Sequence, residues 1–181
     1  KLHIEYKNLD HPMKTNNGLI LNFNIVGAPR LLSSTAPFIQ ISSELRAVKT
    51  IQASHTRLLI RGQIATTNID SINHLPLSLQ LFAGGAQSIR GYEFDSIGHG
   101  KNLFTASSEI QQKIYKSFYV VGFFDTGNVS DASNIFKNPY SSIGTGIAWL
   151  SPIGVLEFTV ANPLSNHHSK SIFQFSMGAY L

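Results

Sequence analysis

The residues best suited to chemistry cluster in positions 82–98, which read FAGGAQSIRGYEFDSIG. Gly84, Gly85 and Gly91 permit backbone conformations that a Cβ would forbid. Between them stands a single arginine, Arg90, flanked by Ile89, Tyr92 and Phe94. A guanidinium removed from bulk water must find carboxylates or stay hydrated, and its planar fork suits bidentate pairing. Glu109 and Asp125, further along the chain, are acids able to meet it. The alternative is that Arg90 is an ordinary solvated loop residue.

Other reactive side chains form no catalytic constellation. His167 and His168 are adjacent, but neighbours on one loop rarely converge on one ion, and the remaining histidines of the seven are scattered. Serines are plentiful without a G-x-S-x-G elbow. Gly84–Gly85 lacks the Lys-Ser/Thr of a phosphate loop. The expectation is no enzyme activity, no metal and no cofactor.

The elements that must position Arg90 read as strands. Nine are expected, over residues 2–8, 18–26, 38–50, 56–68, 103–115, 118–127, 142–149, 155–161 and 171–181. Most alternate between apolar and polar, the period-2 mark of a sheet with two different faces. Leu19, Leu21, Phe23 and Ile25 oppose Asn22 and Asn24; Phe173, Phe175 and Met177 oppose Gln174 and Ser176. By the same parity Glu109 falls with Ser107, Gln111 and Lys113, while Asp125 opposes Val120, Gly122 and Phe124. Glu44 and Glu157 also fall on the polar side, as solvated charges. Several strands reach ten residues or more, against an average of about 5–6 in soluble proteins. The connections alternate short and long, apart from residues 9–17, which should be short and are not. The segment 71–102 is too long for a hairpin loop, and long loops inside compact domains are usually functional.

Composition narrows the class. Only 13% of residues are charged while 43% are apolar, a mixture that suits a wall with lipid on one side and a wet lumen on the other. The longest apolar run, residues 118–124, is far short of the roughly 20 residues of a spanning helix, so a membrane crossing must be a closed barrel. Phe118, Phe124, Trp149, Phe158, Phe173 and Phe175 then read as a lipid-facing band. A soluble sandwich core would alternate identically. The net charge of +4 comes from fourteen scattered Lys and Arg, with no run to bind nucleic acid. Cysteine is absent, so no disulfide framework is expected. The chain starts at Lys1 without a signal-like segment, which reads as a fragment.

At AGG…SIRGY, the sequence resembles the BamA/TamA superfamily of outer-membrane protein assembly factors. The resemblance extends through SSEIQQ at 107–112, GFFDTGNV at 122–129, SSIGTGIAWLSPIGVLEFTVANPL at 141–164 and FQFSMGAYL at 173–181. Tyr92 and the TGIAWLSPIG phrasing favour the TamA-like branch. The resemblance implies an all-β transmembrane antiparallel barrel of about sixteen strands, of which residues 1–181 are the C-terminal part, with the 71–102 loop folding inward. It implies that the lumen-loop motif Gly84, Gly85, Ile89, Arg90, Gly91 and Tyr92 docks against acidic wall partners Glu109 and Asp125. It also implies that Phe173, Phe175, Gly178 and Leu181 mark the closing strand at a seam, where Gly178, without a side chain, weakens pairing.

The expected place is the Gram-negative outer membrane. Expected partners are outer-membrane lipid, unfolded outer-membrane protein substrates such as autotransporters, and an inner-membrane-anchored partner spanning the periplasm. The alternatives are a passive channel or two-partner secretion pore, and a soluble all-β binding module.

Overall fold

In the computed structural model, residues 1–11, 15–28, 37–131, 134–152, 154–165 and 170–178 are described. They form one antiparallel sheet of nine strands and a separate two-stranded ribbon. The large sheet runs in chain order through β1 (Leu2–Leu9), β2 (Asn17–Ala28), β3 (Phe38–Ile51) and β4 (Thr56–Asn68). It continues through β7 (Asn102–Tyr115), β8 (Phe118–Ser130), β9 (Tyr140–Ser151), β10 (Gly154–Pro163) and β11 (Ile172–Gly178). Between β4 and β7 lies the ribbon, β5 (Leu81–Ala83) and β6 (Ile97–Gly100). All nine expected strands form, several of them longer than the sequence pattern indicates. Leu181, at the end of the expected last strand, and His167 and His168 lie outside the described residues.

Every neighbouring pair is antiparallel, so register carries facing from strand to strand. Glu109 sits opposite Phe123, Leu59 opposite Glu109, and Glu157 opposite Ala148. The same parity therefore places one continuous set of residues on the side covered by the 69–101 connection, here the inner face. The outer face is bare and apolar: Ile60, Ile64, Ile110, Phe118, Phe124, Ile147, Trp149, Phe158, Phe173 and Phe175 are all exposed. Phe118 stacks on Trp149 and Phe158 on Phe173 across neighbouring strands. On a soluble protein such a surface would be an aggregation liability; facing lipid, it is the required one.

The long connection is not a bare loop. It makes two short 3-10 turns, Ile72–His74 and Leu77–Leu79, before the β5–β6 ribbon. Ile72 and Leu75 pack with Ile69 into a small cluster of their own. Lys101 Nζ donates to the carbonyls of Ile69 (2.7 Å) and Asp70 (3.2 Å), tying the two ends of the connection together. The ribbon then projects residues 84–96 as a closed excursion over the inner face. There Ile89, Tyr92 and Ile97 join Ala65, Leu103 and Val129 in one buried apolar cluster.

Candidate functional site: the Arg90 cluster on the inner wall

Local geometry aims Arg90. Within the excursion, Gly85 N–H donates to the Tyr92 carbonyl (3.1 Å) and Ser88 N–H to the Gly85 carbonyl (3.1 Å). Gly84 has φ +107°, and a Cβ there would lie 2.3 Å from the Glu93 carbonyl oxygen. Gly91 has φ +89°, and its Cβ would come within 3.2 Å of Ala161 and 3.3 Å of Ser142. Glycine is needed at both positions for conformation, and at the second because the backbone lies directly on β9 and β10.

Arg90 is buried, with 2% of its surface exposed. Its Nε donates to Asp125 Oδ2 at 2.8 Å and its Nη2 to Asp125 Oδ1 at 2.9 Å, a bidentate pair. Nη1 reaches Glu109 Oε2 at 2.5 Å and Glu157 Oε1 at 3.0 Å. Nη2 also donates to Ser107 Oγ at 3.2 Å. The guanidinium lies over the Phe123 ring, 3.5 Å from its centroid, so apolar surface backs the charge while the fork is satisfied at its edges. Burial alone opposes the cation; the Asp125 hydrogen bonds and the charges of Asp125, Glu109 and Glu157 outweigh it and raise the Arg90 pKa.

The cluster extends along the wall. Gln111 Nε2 donates to Glu109 Oε1 at 2.6 Å, and Gln111 Oε1 in turn accepts from Arg57 Nη1 at 2.5 Å. Arg57, 1% exposed, also donates through Nη2 to the Thr15 carbonyl at 3.2 Å. A chain of hydrogen bonds therefore runs from Arg90 to the connection between β1 and β2. That connection is longer than the alternation predicts, and among its described residues Asp10 holds the entry into β2. The Asp10 carboxylate accepts from Asn16 N–H (3.0 Å) and Asn17 N–H (2.9 Å). Its length has a use: it reaches inward to meet Arg57.

The far side of the tip touches the last strand. Gly91 N–H donates to Gln174 Oε1 at 3.3 Å, and Gln174 Nε2 donates to the Tyr92 carbonyl at 3.2 Å. Tyr92 Oη donates to the Ser141 carbonyl at 3.2 Å and its ring packs edge-on against Tyr140.

The motif residues Gly84, Gly85, Ile89, Arg90, Gly91 and Tyr92 are thus brought together with Glu109 and Asp125. Phe173 and Phe175 stand apart on the outer face, and Gly178 lies at the end of β11 opposite Val155. One expectation is corrected: Glu157 is not a free solvated charge but the third carboxylate of the cluster. The tip covers the wall there and carries Arg90 to it. In the sequence Gln111 and Gln174 read only as polar-face residues, and Arg57 carries no signal of its own. Parity placed Gln111, Glu157 and Gln174 on the correct side, but nothing in the spacing gave the depth to which the loop descends.

Comparison with known proteins bears on the fold and the family. The crystal structure of BamA from Haemophilus ducreyi lacking POTRA domains 1-3 matches with a TM-score of 0.77 at 20% identity, over 98% of this chain. This chain spans 41% of that one. At that identity the likeness speaks for the fold: the nine-stranded sheet is a section of an outer-membrane β-barrel. The model of the Omp85 superfamily domain matches residues 1–180. With essentially the whole chain matched, this is an outer-membrane barrel segment of the Gram-negative envelope, and the chain belongs to the Omp85 superfamily.

Proposed function

We propose that this chain is the C-terminal barrel part of a factor that assembles or translocates outer-membrane proteins, with autotransporters among its substrates. The observation that carries the reading is the tip of the 69–101 connection. It is fixed to the inner wall by a buried arginine and reaches the last strand through Gln174. A passive channel gains nothing from filling its lumen with an ordered polypeptide pinned by buried ions. A barrel whose wall must hold its shape while one seam opens has a use for such a brace. On this reading β11 offers its edge to an incoming strand, since an unpaired edge presents a row of free N–H and C=O groups.

The lumen-loop residues and their acidic partners act as that brace, and Phe173, Phe175 and Gly178 belong to the moving strand. The TGIAWLSPIG phrasing and Tyr92 favour the TamA-like branch, in which an inner-membrane-anchored partner spans the periplasm. Residues 1–181 form one structural unit in this account, completed by the remaining strands of the barrel.

The test uses the full-length protein in lipid vesicles. A disulfide locking β11 to the first strand of the barrel is expected to abolish insertion of an unfolded outer-membrane protein, with reduction restoring it. Equal insertion by locked and unlocked barrels would overturn the reading. Conductance without any insertion by the unlocked barrel would favour the passive channel.

A further inference from the structure

The loop tip is held by every strand from β7 to β11, but not by the same kind of bond. Its ties to Glu109 on β7, Asp125 on β8 and Glu157 on β10 are charge-assisted and share one guanidinium. Its tie to β11 is a single neutral side chain used at both ends: Gln174 accepts from Gly91 N–H and donates to the Tyr92 carbonyl. Charge-assisted hydrogen bonds are roughly twice as strong as neutral ones. When the tip and the last strand are pulled apart, the Gln174 contacts are therefore the ones that break, and Arg90 stays seated.

We propose that Gln174 is a positioning residue, a latch that holds the terminal strand against the lumen loop and releases when that strand moves. The inference rests on the assembly reading above for its purpose, and on the two hydrogen bonds for its existence. The site suits a latch. Gln174 lies mid-strand opposite Thr159, on the inner face, while its neighbours Phe173 and Phe175 point outward. Rotation or withdrawal of β11 thus moves the amide directly. The charged groups on the elements around it are Arg90, Glu93 and Asp95 in the tip and Glu157 on β10; Arg90 and Glu157 are paired with each other at 3.0 Å, and Glu93 and Asp95 are exposed.

Hydrogen exchange on the full-length barrel separates the latch from the brace, because adjacent amides report on each. Gly91 N–H is bonded to Gln174, whereas Arg90 N–H is bonded to Asp125 Oδ2 at 3.0 Å. Gln174→Leu is expected to speed exchange at Gly91 by roughly tenfold while leaving Arg90 unchanged. Gln174→Glu separates the two bonds. An ionised carboxylate still accepts from Gly91 N–H but has no proton to donate to the Tyr92 carbonyl. Gly91 is therefore expected to stay protected in Gln174→Glu and to lose protection in Gln174→Leu.

Unchanged Gly91 exchange in Gln174→Leu, or a loss of Gly91 protection in Gln174→Glu as large as in Gln174→Leu, would overturn the latch. Equal loss of protection at Gly91 and Arg90 would also overturn it, by showing that the variant undocks the whole tip. The insertion assay tests the purpose separately: Gln174→Leu is expected to change the insertion rate severalfold. A broken latch with an unaltered rate would refute its role in seam movement while leaving the contact itself established.

Discussion

Asp125 meets Arg90 with two oxygens and three donors: Oδ2 takes Nε at 2.8 Å and the backbone N–H at 3.0 Å, and Oδ1 takes Nη2 at 2.9 Å. The aspartate thus fixes the side chain and the main chain of the tip together, which a lone ion pair cannot do. Glu109 and Glu157 each contact only Nη1. This asymmetry ranks the acids by what their loss does.

Removing the arginine is expected to be the most damaging change. Arg90→Ala leaves the carboxylates of Asp125, Glu109 and Glu157 on the wall without their common counter-ion. Breaking a buried pair from one side typically costs on the order of 3–5 kcal/mol. Asp125→Asn should destabilise less than that, and Glu157→Gln least, about 1 kcal/mol, because the substituted amide still offers Nη1 an acceptor and Glu157 is the most exposed of the three, at 12%. Unfolding midpoints of the full barrel in detergent test the order. Glu157→Gln proving worse than Asp125→Asn would contradict the assigned geometry.

Much of this was readable from sequence, and the reasons are specific. Alternation in β8 separated Asp125 from Val120, Gly122 and Phe124 because a strand has only two faces. The same rule put Glu157 and Gln174 inward. Their engagement was not readable, since it depends on how far residues 84–92 descend across five strands. That depth is set by the β5–β6 ribbon and the turns at Ile72 and Leu77, and the sequence carries no periodicity there. The β1–β2 connection failed the alternation of short and long turns for a similar reason: its extra residues carry the Thr15 carbonyl to Arg57, a contact 42 residues away.

That contact makes its own prediction. Arg57→Met removes the donors to Gln111 and Thr15 but retains much of the packing against Tyr119. Hydrogen bonds from charged groups contribute about 1.5–3 kcal/mol each, so a loss in that range is expected. Backbone amides of residues 15–17 should become faster to exchange. Lys113→Met, on the same face but exposed enough to stay hydrated, should change stability by no more than about 0.5 kcal/mol. Equal effects from the two substitutions would remove the structural role assigned to Arg57.

Two glycines give a matched pair. Gly91→Ala places a methyl 3.2 Å from Ala161 and holds alanine at φ +89°. Such backbone strain costs of order 1–3 kcal/mol, and relief requires the tip to lift from β9 and β10. Gly122→Ala meets nothing within 4 Å and sits on the outer face of β8. It is expected to be neutral or slightly stabilising, since alanine gives up less chain freedom than glycine. Thermal unfolding of the two variants decides, and similar losses would mean that the tip does not rest where described.

The outer face separates a lipid wall from a soluble sheet. Ile147 lies in mid-strand of β9, 53% exposed, between the exposed Val120 of β8 and Phe158 of β10 in register. If water bathed this surface, Ile147→Lys would cost little, since exposed isolines of apolar residues tolerate charge. In a bilayer the same lysine must leave water near the hydrocarbon centre, at a cost of about 2–4 kcal/mol that fades towards the interfaces. The expected result is a loss of that size for the full barrel folded into vesicles. A charge placed near the strand end, Trp149→Lys, should cost less electrostatically, although it also removes the stacking on Phe118. Measuring both in bilayers of two thicknesses isolates the depth term: the Ile147→Lys penalty should grow with thickness, because the charge sits deeper, whereas lost stacking is indifferent to it. A penalty near zero in every bilayer would mean that this face does not meet lipid.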